Sequence, residues 1–447
     1  MKKLLTIVIS VFVLASCGDM LNQGNKPDSG AWQLGDGFED GYYTGEGRNV
    51  PLNSPENNRF MKRIVKVGLL LPLSGNASAL GQSMQDAATL ALWDQYANIS
   101  PSDARSVQII ILPKDTKGTM DGAENAAREA LGEGVDIILG PLYSSSVTAV
   151  APLARERGVQ MVTFSNNKSV AGDGVFVMGF QPEEQIKRVV EYSTSRGQMN
   201  FASLTPNDAY GEVVKNSLRK AVDESNQEGE NGVASVKKQV SYTHDKSRYA
   251  RPIRGLLDFD EKKYRKSFTE EVDENADGDD ATEELEEEEK PFDALLIPEG
   301  GVKLMDIAKL LKYYNFNGEE VQLIGSGQWD NPQILKADVL HGAWFATSPP
   351  DRKEMFFGHF EKQFQYKPQR LASLAYDAMA LAVVLSFSNE FSMDALTNPA
   401  GFNGPADGLF RFNRNGIVER KLAVLEVTPD GFTVIDEAEE SFEVSGY

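Results

Sequence analysis

The sequence contains little of the chemistry on which enzymes and metal sites depend. Among its 447 residues there are one cysteine and three histidines. A single cysteine excludes an internal disulfide and a thiolate metal centre. The histidines (His244, His341 and His359) have no ligand spacing, and no G-x-S-x-G, H-E-x-x-H or P-loop motif is present. We therefore expect a protein without enzymatic activity and without a cofactor.

Basic residues are also scarce. There are 45 lysines and arginines against 66 acidic residues, which gives a formal net charge of -21. Nucleic acid is excluded as a partner because its phosphates would be repelled. Thirteen acids and no bases lie between Glu270 and Glu289. Such a block repels itself and cannot bury a core, so we predict a disordered acidic insertion over residues 258–290.

A calcium-loop pattern lies inside this acidic block. Its match to D-x-[DN]-x-[DN]-G-x5-E is carried by Asp273, Asn275, Asp277, Gly278 and Glu284. Asp280 stands where such a loop normally has an apolar residue, and no amphipathic helices flank the pattern. The match is therefore interpreted as chance in a low-complexity run, with weak millimolar Ca²⁺ binding as the alternative, and we assign no metal site.

No segment is apolar over the roughly 20 residues that a membrane-spanning helix needs. The N-terminal apolar run, from Leu4 to Ala15, follows Lys2 and Lys3 and is typical of a secretory signal. It ends at Leu-Ala-Ser-Cys17, which resembles a bacterial lipobox. We predict a signal peptide over residues 1–16, lipidation of Cys17 and a flexible, Gly- and Asn-rich tether over residues 17–63. The alternative is an ordinary cleaved signal with an incidental cysteine.

The remainder of the chain alternates strand-like and helix-like segments from Val65 onward. VKVGLLLP, VQIIIL and VDIILG are typical of buried strands, and helical apolar spacing follows each of them. A second set of the same kind begins at Pro182. This pattern predicts an α/β protein of two doubly wound lobes, in which ligands bind outside the carboxyl ends of the strands.

Three polar loops follow predicted strands at that ligand-facing end. They are Pro72–Asn76, Gly140–Ser146 and Thr163–Asn167. Each alone is explained equally well by helix capping. Together, at corresponding strand ends and with a helix N-terminus after the second, they favour a cleft that binds a carboxylate.

At this point the chain resembles a known family. VGLLLPLSGNASALGQSMQDAATLAL, GPLYSSS, NDAYGE and AYDAMALA are similar to segments of type I periplasmic binding proteins of the leucine/isoleucine/valine-binding branch. The resemblance implies two α/β lobes, joined by three crossover strands, that close on a small ligand. It implies crossovers near Gly179–Pro182, Trp344–Ser348 and Asp407–Phe410. It also implies a first lobe of residues 64–181 and 347–408, and a second of 182–346 and 409–447.

The resemblance also implies the ligand-binding residues. The expected set is Ser74, Gly75, Ser144, Ser145, Ser146, Thr163 and Asn166 from the first lobe, and Tyr210, Glu299 and Gln328 from the second. One departure is visible: where the family has an acid in G-P-E-G for the ligand's ammonium, this chain has Gly325-Ser326-Gly327-Gln328. Glu299 is the expected substitute, and α-amino-acid binding is in question.

Two functions remain open. One is an extracytoplasmic, membrane-anchored protein that binds a small polar ligand for uptake or sensing, with an ABC-transporter permease as partner. The other follows from IGSGQWDNP and the tail Leu409–Val427, which are similar to penicillin-binding-protein activator lipoproteins of alphaproteobacteria. That resemblance implies regulation of peptidoglycan synthesis through contact with a penicillin-binding protein. Gly18 after the cysteine favours the outer membrane over the inner one.

Overall fold

The protein is described from a computed structural model that covers residues 41–43, 49–51, 63–98, 107–228, 233–259, 292–316, 318–388 and 391–442. The chain divides into two units at residue 61. In the first, strands Gly41–Tyr43 and Asn49–Pro51 pair antiparallel. The signal peptide, Cys17, most of the tether and the calcium-loop positions lie outside the described residues, as do residues 260–290 of the acidic insertion.

The second unit begins with an α/β layer that forms the first lobe. Its strands are β1 Arg63–Leu71, β2 Val107–Asp115, β3 Ile137–Leu139, β4 Gln160–Thr163 and β5 Val175–Val177. They form one parallel sheet in the order β2-β1-β3-β4-β5. The helices of this part of the chain are α1 Ser78–Asn98, α2 Met120–Gly132 and α3 Ser144–Glu156.

The second lobe repeats this arrangement. Its helices are α4 Pro182–Ser195, α5 Ala209–Glu228, α6 Ala250–Leu256 and α7 Gly301–Tyr313. Its parallel strands are β6 Asn200–Pro206, β7 Ser235–Tyr242, β8 Ala294–Ile297, β9 Gln322–Gly325 and β10 Trp344–Thr347. They lie in the order β7-β6-β8-β9-β10, so both lobes show the same strand order of a doubly wound fold.

The C-terminal part of the chain returns to the first lobe before it ends in the second. Helices α8 Pro350–Phe364, α9 Ala372–Ser388 and α10 Met393–Leu396 are followed by a small antiparallel sheet of β11 Phe402–Gly404, β12 Gly408–Phe412 and β13 Val418–Arg420. Strand β14 Ala423–Thr428 then pairs antiparallel with β10, and β15 Gly431–Asp436 pairs antiparallel with β14 at the edge of the second sheet.

Each sheet is buried on both faces, which explains why its strands read as continuous apolar runs. In β1, Val65, Val67, Leu69, Leu70 and Leu71 are all fully buried. One face of the first sheet packs against α1, α8 and α9, and the other against α2 and α3. In the second lobe, α6 and α7 cover one face and α4 and α5 the other. The expected fold class, two doubly wound α/β lobes, is therefore confirmed.

The third crossover differs from its expected position. We expected it near Asp407–Phe410, with residues 409–447 in the second lobe. Phe410 and Phe412 instead lie in the core of the first lobe, where the Phe412 ring contacts that of Phe176 with centroids 5.2 Å apart. Burial of these two rings holds β12 and β13 in the first lobe, so the chain crosses only after Arg420. No helix among the described residues is long and apolar enough to cross a membrane.

Candidate functional site

The strand order of each sheet creates one crevice where neighbouring connections diverge. In the first lobe it lies between β1 and β3, and in the second between β6 and β8. Loops at the carboxyl ends of these strands splay apart, so ligands of doubly wound folds bind there. The expected residues Ser74, Ser144, Tyr210 and Glu299 all follow one of these four strands.

The loop after β1 is held by one carboxylate. Asp115 Oδ1 accepts hydrogen bonds from the backbone N–H of Leu73 at 2.9 Å and of Ser74 at 3.2 Å. These donors contribute to a lowered pKa of Asp115, outweighing the opposing effect of its partial burial. Ser74 and Gly75 are exposed, and Gly75 has a φ of 78°, which glycine adopts without strain.

The hydroxyls expected to hold a carboxylate divide into two groups. Ser146 Oγ donates to Thr119 O at 3.3 Å, and Thr163 Oγ1 donates to Pro141 O at 2.6 Å. Both side chains are buried, so these hydroxyls stabilise the loops themselves. Ser144 and Ser145, at the start of α3, are more accessible. Backbone N–H groups of this helix start and the Ser145 hydroxyl are the donors that a ligand can reach.

Asn166 is exposed and lies beside the first crossover. A Cβ at Gly179 would stand 2.4 Å from Ser165 O and 2.8 Å from Asn166 N, so glycine is required for this close approach. The loop after β4 is thereby fixed against the segment that leads into the second lobe.

Tyr210 and Gln328 meet in the second lobe. Gln328 Nε2 donates to the Tyr210 hydroxyl at 2.9 Å, and that hydroxyl donates to Pro298 O at 3.2 Å. These contacts join the loops after β6, β8 and β9. Burial raises the pKa of Tyr210, so the hydroxyl is a neutral donor and acceptor at physiological pH.

Glu299 is close to this pair but is already engaged. It is 6% exposed, it accepts a hydrogen bond from the Tyr242 hydroxyl at 2.6 Å, and it lies 3.5 Å from Lys303 Nζ. Both contacts are made by Oε1, and the Lys303 cation would repel a ligand ammonium at this carboxylate. Glu299 is therefore poorly suited to the substitute role expected for it.

A groove with walls from both lobes lies next to Gln328. Its volume is about 370 Å³. Gly300, Gln328 and Asp330 line it from the second lobe, and Lys353, Phe357 and Arg370 from α8 and the loop before α9. Asp330 forms an ion pair with Lys353 and accepts a hydrogen bond from Thr347 Oγ1 at 3.3 Å.

Sequence reasoning missed Lys353 and Arg370. Both lie within residues 347–408, the segment expected in the first lobe, and nothing local distinguishes them from surface cations. Arg370 follows Pro368 in a short loop whose position is fixed by Gln369 N donating to Ser83 Oγ at 2.9 Å. Their place in the groove depends on packing between segments far apart in sequence.

The IGSGQW segment is explained by packing. The Trp329 indole is fully buried, and its N–H donates to Ile297 O at 3.0 Å. A Cβ at Gly325 would stand 2.3 Å from the indole ring, so only glycine admits the tryptophan here. Gly327 N donates to Gln185 Oε1 at 3.0 Å. The segment positions Gln328 and Asp330 at the groove.

Buried ionisable groups cluster beside the crossovers. Asp377 accepts hydrogen bonds from the backbone N–H of Ala406 at 2.8 Å and of Asp407 at 2.9 Å. Burial, together with the charge of Asp407, raises the pKa of Asp377. Burial also raises the pKa of Asp407, and it raises the pKa of Glu184 to about 8 against the opposing charge of Arg420. In each case burial disfavours the charged form of the carboxyl.

A second cavity, of about 420 Å³, lies within the second lobe beside β7 and α6. Arg248 and Arg251 line it. None of the expected site residues does so, and it has no wall from the first lobe.

Comparison with known proteins agrees with this architecture. Residues 64–255 match the family model described as periplasmic binding protein. An uncharacterized protein of Rickettsia prowazekii (strain Madrid E) is 23% identical over 165 residues, which are 36% of this chain. The match covers 41% of that relative, so the chain spans about two fifths of its length.

Solved structures share the fold over most of the chain. A leucine-binding protein of Thermotoga maritima is 19% identical with a TM-score of 0.54, over 83% of this chain and 97% of that one. A solute-binding protein of an ABC transporter from Rhodopseudomonas palustris, in complex with 3,4-dihydroxybenzoic acid, is 16% identical with a TM-score of 0.55, over 85% and 97%. The chain therefore has the type I periplasmic-binding-protein fold, and within it residues 64–255 are similar to the periplasmic binding protein model.

Proposed function

We propose that this chain is a non-enzymatic, membrane-anchored, extracytoplasmic protein whose two lobes close on a small polar ligand, for solute uptake or sensing. The observation that carries the proposal is the groove of about 370 Å³ with walls from both lobes. A ligand held there contacts both lobes at once and favours their closure. Gln328 and Arg370 line the groove and supply polar groups that orient the ligand, and Tyr210 holds the Gln328 amide in place.

The first experiment measures ligand-induced stabilisation of the full-length chain. Its thermal unfolding is followed with amino acids, their deaminated acids, short peptides and muropeptides. A ligand in thousandfold excess over its dissociation constant adds about 4 kcal/mol to the unfolding free energy. A panel without any stabilising compound contradicts ligand binding.

The matched test of the site uses two glutamines. Gln328→Ala removes the amide that lines the groove, whereas Gln365→Ala removes an exposed amide at the end of α8. We expect the first to weaken binding about fivefold, equivalent to about 1 kcal/mol for one hydrogen bond. The second should leave binding unchanged.

The second candidate is a penicillin-binding-protein activator. It is favoured by the position of Lys303 beside Glu299, because this cation opposes the binding of an amino acid's ammonium at that carboxylate. Crosslinking in intact envelopes, followed by purification of the chain, distinguishes the two. Recovery of a peptidoglycan synthase supports the activator, and recovery of transporter permeases alone contradicts it.

A further inference from the structure

Two carboxylates stand at or beside the groove, and both have partners. Glu299 accepts from Tyr242 and lies beside Lys303. Asp330 is paired with Lys353 and accepts from Thr347, with only 15% of its side chain exposed. Each carboxylate therefore already has a lysine beside it, and a ligand ammonium placed there would be repelled by that like charge.

Arg370 differs from these groups. Its side chain is exposed to the groove, and among the described residues no carboxylate lies within ion-pair distance of it. The guanidinium carbon stands 5.4 Å from the centre of the Phe180 ring, in the first crossover segment. Stacking on the ring leaves the N–H edge of the guanidinium available, and that edge matches both oxygens of a carboxylate.

The charges of the groove also favour an anionic ligand. Two cations, Lys353 and Arg370, and one carboxylate, Asp330, line it, so its net charge is positive. The Arg370 charge also acts on the Tyr210 hydroxyl, where it opposes the rise in pKa that burial causes. Tyr210 contacts Gln328, and Gln328 and Arg370 both line the groove. A single ligand can therefore contact the Arg370 guanidinium of the first lobe and the Gln328 amide of the second.

Resting on the ligand-binding function proposed above, we infer that the groove selects a small carboxylic acid without a free ammonium group, and that Arg370 pairs with its carboxylate. The preferred ligand is then an anion, such as an oxo acid, a hydroxy acid or an N-acylated amino acid, rather than a zwitterionic amino acid. Arg370 determines this specificity, because among the described residues that line the groove it is a cation without a carboxylate partner.

The experiment compares ligands that differ only at the amino group. Calorimetric titration of the full-length chain uses leucine against 4-methyl-2-oxopentanoate, phenylalanine against phenylpyruvate, and glutamate against 2-oxoglutarate and N-acetylglutamate. We expect acids without ammonium to bind at least tenfold more tightly than the matched amino acids. Arg370→Gln should weaken the binding of the acids at least tenfold, and Arg370→Lys should weaken it less. The control, Arg251→Gln, changes an equally exposed arginine in the other cavity and should have no effect.

The outcomes separate the inference from the function on which it rests. Tighter binding of an amino acid than of its deaminated partner overturns the inference and leaves the ligand-binding function intact. If the Arg370→Gln variant is folded, as judged by thermal unfolding like that of wild type, and binds the acids as tightly as wild type does, the inference is also overturned. The ligand-binding function again stays intact. Failure of every compound in the wild-type chain overturns the proposed function and the inference with it.

Discussion

Asp330 and Lys353 form an ion pair that joins the loop after β9 in the second lobe to α8 in the first. Both side chains are largely buried, at 15% and 18% exposure, and Thr347 in the last strand before α8 also donates to Asp330. The pair lies at the wall of the groove and beside the second crossover. It is therefore placed to influence both stability and the relative position of the lobes.

Asp330→Asn should destabilise the protein because it leaves the Lys353 charge partly buried without its partner. We expect a loss of about 1.5–3 kcal/mol in the free energy of unfolding, the range for a hydrogen bond to a charged group. Urea denaturation measures it. The matched control is Asp338→Asn, which removes an acid from the exposed pair with Lys312 and should change stability little. Equal effects of the two substitutions would contradict the structural role of the Asp330–Lys353 pair.

Glu184 predicts a pH dependence of stability. Its pKa in the native protein is about 8 against 4.5 for an ordinary glutamate, so the native state holds a proton that the unfolded state releases. The resulting stabilisation is fully present below about pH 4.5 and is lost as the pH rises through about 8. Glu184→Gln mimics the protonated acid and should flatten this decline.

The measurement is the unfolding free energy of wild type and Glu184→Gln at a series of pH values from 5 to 9. The variant should be the more stable of the two at pH 9. Glu361→Gln, at an exposed position of α8, is the control and should follow the wild-type curve. A parallel decline in wild type and Glu184→Gln would show that Glu184 does not hold the proton.

Tyr242→Phe tests whether Glu299 belongs to the protein's interior rather than to the ligand site. The substitution removes the hydrogen bond to Glu299 and should cost about 1–2 kcal/mol of stability. Ligand affinity, measured by calorimetry on the folded variant, should stay within twofold of wild type. Tyr313→Phe, at an exposed position of α7, is the control for stability. A large loss of affinity in Tyr242→Phe would place Glu299 in contact with the ligand.

Cys17→Ala tests the predicted lipid anchor. The variant cannot be acylated at this position, so it should move from the membrane fraction to the soluble extracytoplasmic fraction. Immunoblotting after fractionation, together with metabolic labelling by a fatty acid, measures both consequences. Labelling that persists in the variant would show that the anchor lies elsewhere.

Much of the fold follows from local sequence patterns. The apolar runs of β1 and β3 and the helical spacing of α2 and α4 are strong enough to predict these elements because both faces of each sheet are covered. The predicted position of the third crossover was wrong, because this position depends on which lobe's core buries Phe410 and Phe412. Their alternation predicts a strand but does not say which lobe buries it.

The site could be predicted only in part. The strand-end loops predict Ser144, because the carboxyl ends of parallel strands are where ligands bind, and the family resemblance adds Tyr210. The same reasoning cannot tell that the Thr163 and Ser146 hydroxyls are used internally, since their acceptors are backbone carbonyls of other loops. Arg370 could not be found, because its position depends on the packing of α8 and α9 against the rest of the first lobe.

Ligand-induced closure of the lobes is the central claim, and an inter-lobe distance tests it most directly. Val302 on α7 and Met355 on α8 are exposed, at 73% and 65%, and belong to opposite lobes. Spin labels at Val302→Cys and Met355→Cys, in a Cys17→Ala background, report their separation by electron–electron double resonance. With the tightest-binding acid of the panel at saturation, the distance distribution should shift to shorter values. Identical distributions with and without a ligand that calorimetry shows to be bound would contradict closure.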